Sequence, residues 1–84
     1  MLETVELKPE EIYVPVKLRK ALDADAVEAR AESYMEEGSQ RPIQVRHDRE
    51  RKRWVLVAGI NRLEALKALG EETIEAMVVD ARQH

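Results

Sequence analysis

The segment from Trp54 to Gly70 constrains the fold of this chain more than any other, because three structural signals follow one another in it without interruption. Trp54–Ala58 is apolar at every position, which is typical of a strand covered on both faces of a sheet. Gly59 permits a tight turn. Apolar side chains then recur at helical spacing as far as Gly70; they are Leu63, Ala65, Leu66 and Leu69. The pattern predicts a buried strand, a turn, and a helix from about Ile60 or Asn61 to Leu69.

The start of this helix has the composition of an anion site, although the spacing of its residues is not specific to one. Backbone N–H groups at a helix N-terminus favour negative charge, and phosphate is the commonest biological anion bound there. Arg62 would add a guanidinium. The alternative is an ordinary strand–helix joint in which Asn61 caps the helix and Arg62 is solvated. With one glycine and no Gly-Lys-Ser/Thr sequence, the segment matches neither a P-loop nor a dinucleotide-binding turn.

The other segments predict a single small domain over residues 1–84 with an α+β (mixed α/β) fold. A short strand at Thr4–Leu7 and an edge segment interrupted by Pro15 precede the first helix. That helix would be capped by Asp23 or Asp25 and would stop at Gly38. Its predicted apolar face carries Val27, Ala31, Tyr34 and Met35. A hairpin and a last strand follow, at about 43–46, 53–58 and 73–79. The expected sheet is mixed and has about four strands, with two main helices.

Composition excludes several classes of function. The chain has 84 residues, of which 44% are hydrophobic and 37% charged, as in a small globular domain. It has no cysteine, which excludes disulfides, thiolate metal sites and cysteine nucleophiles. There is no signal-peptide core and no apolar run of about 18–20 residues, so we expect a cytoplasmic protein with no membrane partner. The two histidines, His47 and His84, lack metal-ligand spacing, and Ser33 lacks a histidine to activate it.

The charges are unevenly distributed. The net charge is −3, yet the segment from Arg41 to Arg53 holds six basic residues against two acidic ones. Such a run is either a solvated hairpin tip or a contact for nucleic-acid phosphates. In the second case, the expected DNA-binding residues are Arg41, Arg49, Arg51 and Lys52. Arg46 lies near the end of its strand, so it is expected close to Gly59 if the two hairpin strands pair.

The order of these segments resembles that of the ParB/sulfiredoxin-like superfamily. The run Glu32–Arg46 resembles the ParB N-terminal pattern "eSI…G…QPI.VR", and Trp54–Gly70 resembles "y.lvaGeRRl.Aak.aG". Thr73–Val78 is similar to the strand that follows in that family. The resemblance extends over about Val5 to Asp80. Several motifs in the same order and spacing are more specific than any one of them.

This resemblance implies a nucleotide-binding domain, because ParB proteins bind CTP and sulfiredoxins bind ATP at the corresponding site. CTP or ATP with Mg²⁺ is therefore the expected ligand. By position, Gly59 matches the motif glycine, and Arg62 matches an arginine that contacts phosphate. Ser33 matches a hydroxyl residue that faces the phosphates. The remaining residues expected at the nucleotide are Gly38, Pro42, Arg46 and Asn61.

The chain also departs from the pattern. Ile60 stands in place of the motif glutamate, Asn61 in place of its first arginine, and Arg41 where ParB usually has glutamine. The sulfiredoxin cysteine would fall at Ile60, which excludes reductase chemistry. The family's segment that completes the CTP site and its helix-turn-helix would both follow His84, so a stand-alone module is expected.

Three hypotheses follow from the resemblance and its departures. The first is a nucleotide-binding domain that works with DNA or a DNA-binding partner, as in plasmid partition or maintenance. The second is a nuclease of the same superfamily. The third is a degenerate interaction or regulatory module that self-associates as a homo-oligomer. Because two motif positions are replaced, binding is favoured over catalysis, and no catalytic residue or metal ligand is predicted.

Overall fold

The computed structural model describes residues 3–38 and 41–79. Within them, the chain forms five strands, three α-helices and one 3₁₀ turn. Their bounds are β1 (Glu3–Leu7), a 3₁₀ turn (Pro9–Glu11), β2 (Ile12–Tyr13), α1 (Val16–Arg19), α2 (Ala24–Glu37), β3 (Ile43–Asp48), β4 (Arg53–Ala58), α3 (Ile60–Ala68) and β5 (Ile74–Val78). The mixed α+β class and the two main helices, α2 and α3, agree with the prediction, and α1 is a single additional turn.

The strands form one mixed sheet in the order β1-β5-β3-β4-β2. The β3–β4 hairpin and the β1–β5 pair are antiparallel, whereas β3–β5 and β2–β4 are parallel. The prediction of about four strands is wrong by one. The additional strand is the edge segment β2, which pairs with β4 only through Ile12 and Tyr13 and is followed within two residues by Pro15, which has no N–H to donate to a ladder.

The helices pack on one face of the sheet, called here the core face. Ile43, Val45 and Leu56 project from this face and join Leu63 and Leu66 of α3 in the hydrophobic core. Val55 and Leu56 are 3% and 1% exposed although they point to opposite faces. The prediction that a layer covers each side of this strand is wrong in part, because the described helices pack on the face that carries Leu56. Burying the five largest of these side chains contributes about 1.5–3 kcal/mol each to folding; they are Ile43, Leu56, Leu63, Ile74 and Val45.

The opposite side of the sheet is called the open face. Because side chains alternate along a strand and directly paired residues share a face, the register assigns its members. They are Thr4, Glu6, Tyr13, Gln44, Arg46, Asp48, Arg53, Val55, Glu75 and Met77. None of these ten residues belongs to the hydrophobic core cluster or to the partly buried residues packed against it. The open face therefore lies outside the hydrophobic core.

Helix α2 starts and stops as the sequence predicts, but its packing is narrower. The side chain of Asp23 accepts a hydrogen bond from the Asp25 N–H, and Gly38 ends the helix with φ 79°. Tyr34 packs against the core. Met35, predicted on the apolar face, is 71% exposed. That part of the prediction is wrong, because α2 lies over the edge of the core with a contact stripe too narrow to include Met35.

Candidate anion-binding site

Gly59 determines how closely α3 approaches the sheet. Its φ is 105°, a conformation that only glycine adopts without strain. A Cβ atom at this position would lie 3.0 Å from Cγ2 of Ile43, which is completely buried. The turn therefore brings the first residues of α3 against the beginning of β3. The predicted role of Gly59 in a tight strand–helix turn agrees with this geometry.

The N-terminus of α3 has no capping side chain. Gly59 is the N-cap residue, the first turn contains no acidic residue, and the first helical bond runs from the Leu63 N–H to the Gly59 carbonyl at 2.8 Å. The N–H groups of Ile60, Asn61 and Arg62 precede that bond, so the helix offers them no carbonyl acceptor. The partial positive charge of the helix end is thus left for another group to balance.

Arg62 lies at this helix end with too few acceptors for its donors. Its Nη1 donates a long hydrogen bond of 3.4 Å to the Pro42 carbonyl, and its Nε is buried with no hydrogen-bond partner among the described residues. Burial lowers the pKa of Arg62, and the positive charges of Arg30 and Arg41 lower it further. The charges of Arg30 and Arg41 therefore repel that of Arg62, and an anion with several oxygens would relieve both this repulsion and the unmet donor.

Arg30 is the residue that the sequence prediction missed. It lies on α2, three residues before Ser33, so the two side chains project from the same side of the helix. The electrostatic effect of Arg30 on Arg62 places that side of α2 toward the start of α3. Had the helical spacing been applied to Ser33, which was predicted at the phosphates, it would have identified Arg30 as well. Ser33 itself is half-buried.

Asn61 does not cap α3, so the capping interpretation is wrong. The helix begins one residue earlier, at Ile60, and this places Asn61 inside the first turn. Its Oδ1 instead accepts a hydrogen bond of 2.9 Å from the backbone N–H of Asp23, the N-cap residue of α2. Asn61 therefore ties the starts of the two main helices together. Its Nδ2 group remains a donor that an anion could use.

Arg46 does not lie beside Gly59, contrary to prediction. In the antiparallel hairpin it pairs with Val55, four residues before Gly59, so it lies toward the β3–β4 turn. The residue next to Gly59 is instead Ile43 on the core face, while Arg46 projects from the open face. The structure thus brings Pro42, Gly59 and Arg62 together and removes Arg46 from the group.

Gly38 and Arg41 line a separate cavity of about 230 Å³ that also contains three carboxylates, Glu6, Glu71 and Glu75. The Tyr34 hydroxyl donates to Glu71 at 3.2 Å, and this bond raises the pKa of Tyr34. The Thr73 hydroxyl donates to Glu6 at 3.0 Å. Concentrated negative charge disfavours a phosphate. Gly38 therefore belongs to an acidic cavity, and Arg41 lies between that cavity and Arg62.

The predicted DNA-binding residues are divided between two places. Arg41 accompanies Arg62, whereas Arg49, Arg51 and Lys52 form the turn between β3 and β4. Asp48 organises this turn: its Oδ1 accepts from the Arg51 N–H at 3.2 Å, and its Oδ2 lies 3.6 Å from Arg51 and 3.8 Å from Arg53. The backbone hydrogen bond from Arg51 lowers the pKa of Asp48, aided by the two arginine charges.

Residues 3–38 and 41–79 contain no group of three histidine, cysteine or acidic side chains arranged to hold a metal ion. None of the helices in the same ranges combines the length and the apolar character that crossing a membrane requires.

The sheet order, the Gly59 turn and the arginine-rich start of α3 define a small α+β domain of the ParB/sulfiredoxin class, and solved structures agree. Sulfiredoxin from Arabidopsis thaliana superposes with a TM-score of 0.79 at 28% identity, covering 94% of this chain and 86% of that one. The C-terminally truncated chromosome-partitioning protein ParB from Caulobacter crescentus, complexed with CTP-γ-S, gives a TM-score of 0.74 at 26% identity, covering 94% of this chain and 46% of that one.

The chain belongs to the ParB N-terminal domain family, whose model matches residues 1–84. A probable chromosome-partitioning protein ParB from Campylobacter jejuni is 35% identical over 80 residues, which is 95% of this chain. The chain spans only 27% of the length of that relative.

Proposed function

We propose that this domain binds a nucleotide through its phosphates at the start of α3. The observation that carries the proposal is Arg62: it is half-buried, its Nε has no hydrogen-bond partner in the described chain, and Arg30 and Arg41 crowd it with like charge. In such surroundings, a buried guanidinium that lacks acceptors lowers the stability of the fold. An anion that supplies the missing acceptors removes this cost. The uncapped N–H groups of α3 point to the same kind of ligand.

Each residue has a defined part in this proposal. Arg62 and Arg30 contact the terminal phosphates, and the N–H groups that follow Gly59 bind the phosphate nearest the helix. Ser33 and the Asn61 amide donate additional hydrogen bonds. The Pro42 carbonyl orients the Arg62 guanidinium through the 3.4 Å bond. Mg²⁺ prefers to be held by phosphate oxygens and waters rather than by an all-protein cage, so it would enter with the nucleotide.

Relatives support CTP or ATP as the ligand class. The Caulobacter ParB chain, 26% identical to this one, has been solved with CTP-γ-S. The Campylobacter relative is described as partitioning chromosomes, which supports a place in DNA handling. In that case, the basic residues of the hairpin turn, Arg49, Arg51 and Lys52, are the proposed DNA contacts.

One observation favours an alternative without nucleotide. Ile60, which replaces the glutamate of the family motif, is only 7% exposed and belongs to the hydrophobic core. The position that is acidic in the family motif is thus held by a buried apolar side chain in this chain. This suits a domain that binds rather than catalyses, and it also suits a regulatory module that retains the fold and self-associates.

Calorimetric titration of CTP and ATP, with and without Mg²⁺, distinguishes the two functions. We expect Arg62→Ala to weaken binding at least tenfold, because a hydrogen bond to a charged group is worth about 1.5–3 kcal/mol. Arg46→Ala is the matched control: it removes the same charge from the open face and should leave the affinity within about twofold. Equal affinities in the two variants would refute the phosphate site. Absence of binding in the wild type, together with self-association in light scattering, would support the regulatory module.

A further inference from the structure

The open face carries an unusual local structure at the β4–β2 edge. Val55 projects from this face, lies outside the hydrophobic core cluster, and is nevertheless only 3% exposed. Its paired neighbours are Tyr13 on β2 and Arg46 on β3. These two side chains flank Val55 on the same face of the sheet. The aromatic ring and the arginine stem therefore form a local surface on the open face.

Arg53 lies on that surface as a second layer. Its guanidinium carbon is 3.9 Å from the centroid of the Tyr13 ring, and its Nε is 3.8 Å from Asp48 Oδ2. The Nε is buried and has no hydrogen-bond partner in the described chain, so stacking and the ion pair hold this side chain. The side chain retains 35% exposure. We call this arrangement the Arg53–Tyr13 shelf. A planar guanidinium stacked on one ring has a second face that can receive another flat π-system.

The charge around the shelf specifies what kind of π-system would bind. Residues 46–53 contain five basic residues and two acidic ones, in a chain with a net charge of −3. Asp48, one of the two acids, is already paired with Arg51 and Arg53. At the far end of the open face, Glu6 and Glu75 pair across β1 and β5. The face is thus positive beside the shelf and negative at the opposite end, and a polyanion would be confined to the hairpin end.

We propose that the open face at β3, β4 and β2 binds single-stranded nucleic acid. A ligand that combines flat rings with a chain of negative charges fits both the shelf and its basic surroundings. One base stacks on the guanidinium of Arg53, and Arg46 and the basic turn contact the phosphates on either side. An unpaired base is required, because a base inside a duplex does not expose its ring. This surface lies on the opposite side of the sheet from the Arg62 site, and the proposal does not depend on nucleotide binding there.

The two arginines that share Asp48 provide a matched test. Arg53 is stacked on Tyr13, whereas Arg51 pairs with the same carboxylate and is 65% exposed. Fluorescence anisotropy with a labelled oligo-dT of about ten nucleotides, at about 50 mM salt, compares Arg53→Lys with Arg51→Lys. Both changes keep the charge. We expect Arg53→Lys to weaken binding about tenfold, because lysine cannot stack. Arg51→Lys should weaken binding much less, because a lysine at that position still contacts a phosphate through its charge.

Additional ligands separate stacking from charge. Oligo-U replaces oligo-dT to show whether RNA or DNA is preferred, and either result agrees with the proposal. A duplex of the same length should bind at least tenfold more weakly than the single strand. Arg46→Gln should weaken single-strand binding several-fold and reduce its salt dependence. If Arg53→Lys lowers the melting temperature of the protein, Arg46→Gln is used as the test variant in its place.

Several outcomes would overturn the proposal. Equal losses in Arg53→Lys and Arg51→Lys would show that the basic turn acts as a point charge without stacking. A duplex or a poly-glutamate peptide that bound as tightly as the oligonucleotide would assign the surface to polyanions or acidic proteins in general. An unchanged anisotropy of the oligonucleotide up to about 100 μM wild-type protein would remove the site altogether.

Discussion

The N-termini of α2 and α3 lie side by side and are completed in opposite ways. The α2 start provides its own acceptor: the Asp23 side chain binds the Asp25 N–H, and Asp25 adds negative charge to the first turn. The α3 start has glycine as its N-cap residue, no acid in its first turn, and Arg62 in place of an acceptor. Since both helix ends carry the same partial positive charge, α2 balances its charge within the fold, whereas the start of α3 leaves its charge for the ligand proposed above.

Asn61 connects the two helix starts. Its Oδ1 accepts the Asp23 N–H, so the same residue that begins α2 is held by the first turn of α3. The bond fixes the relative position of the two helices near Arg62. Arg30, about two turns further along α2, is thereby brought within electrostatic reach of Arg62. Helix α2, which is capped, thus places Arg30 near the uncapped start of α3.

The largest expected effect is on the glycine that begins α3. Gly59→Ala should reduce the free energy of unfolding by about 3 kcal/mol, because a residue with a side chain is strained at φ 105° and its Cβ would meet Ile43 at 3.0 Å. Gly70→Ala is the control: its φ is 81° and no atom lies within 4 Å of the added Cβ, so the expected loss is about 1 kcal/mol. Urea denaturation measures both, and equal losses would mean that the contact with Ile43 is unimportant.

The second effect separates binding from stability at the same helix start. Asn61→Asp retains an oxygen to accept the Asp23 N–H and places negative charge on the first turn of α3. Helix-end electrostatics favour such a charge by about 0.3–1 kcal/mol, so we expect the melting temperature to hold or rise. Nucleotide affinity should fall about tenfold or more, because about 1.4 kcal/mol of repulsion corresponds to a factor of ten.

Asn61→Ala serves as the reference for that experiment. It removes the acceptor for the Asp23 N–H without adding charge, so stability should fall while affinity changes less than in Asn61→Asp. If Asn61→Asp instead bound nucleotide as tightly as the wild type, the start of α3 would not be a phosphate site. The missing cap of α3 would then have no role in ligand binding.

The third effect tests the self-capped helix. Asp23→Ala should lower the free energy of unfolding by about 1 kcal/mol, the usual cost of losing an N-cap acceptor. Asp23→Asn is its control, because asparagine caps a helix nearly as well as aspartate does. Thermal or urea denaturation followed by circular dichroism measures both. A loss from Asp23→Asn as large as that from Asp23→Ala would mean that the carboxylate charge, rather than the cap, stabilises α2.

Local sequence signals predicted the scaffold of the site, but they did not predict its register. The Gly59 turn, the Asp23 cap and the Gly38 stop could be predicted because each depends on the conformational preference of a few neighbouring residues. Arg46 was misplaced because the antiparallel hairpin pairs it with Val55, four residues before Gly59. The end of β3 therefore lies opposite the start of β4, and the residue that lies near Gly59 depends on the strand register, which hydrophobic alternation over four residues does not reveal.

The residues of the site that came from tertiary packing could not be predicted in the same way. Arg30 is an exposed position within α2: helical spacing relates it to Ser33, but only the packing of α2 beside α3 relates it to Arg62. Asn61 has the composition of an N-cap, yet the helix begins at Ile60 and its side chain serves the other helix. Both cases depend on contacts between elements far apart in sequence, which local propensity does not contain.

The smallest effect concerns the other end of the helix pair, where the Tyr34 hydroxyl of α2 donates to Glu71 just after α3. This bond raises the pKa of Tyr34 in the folded protein above its ordinary value of 10.0. Folding therefore favours the neutral hydroxyl. Its contribution to the free energy of unfolding is complete below pH 10 and is lost as the pH rises through the raised pKa.

Tyr34→Phe should be slightly less stable at pH 7 and should lose less of its stability above pH 10 than the wild type. Urea denaturation at pH 7 and above pH 10 measures this difference, with Tyr13→Phe as the control for an exposed tyrosine outside the pair. Parallel pH profiles for Tyr34→Phe and the wild type would show that the Tyr34–Glu71 bond does not contribute to stability.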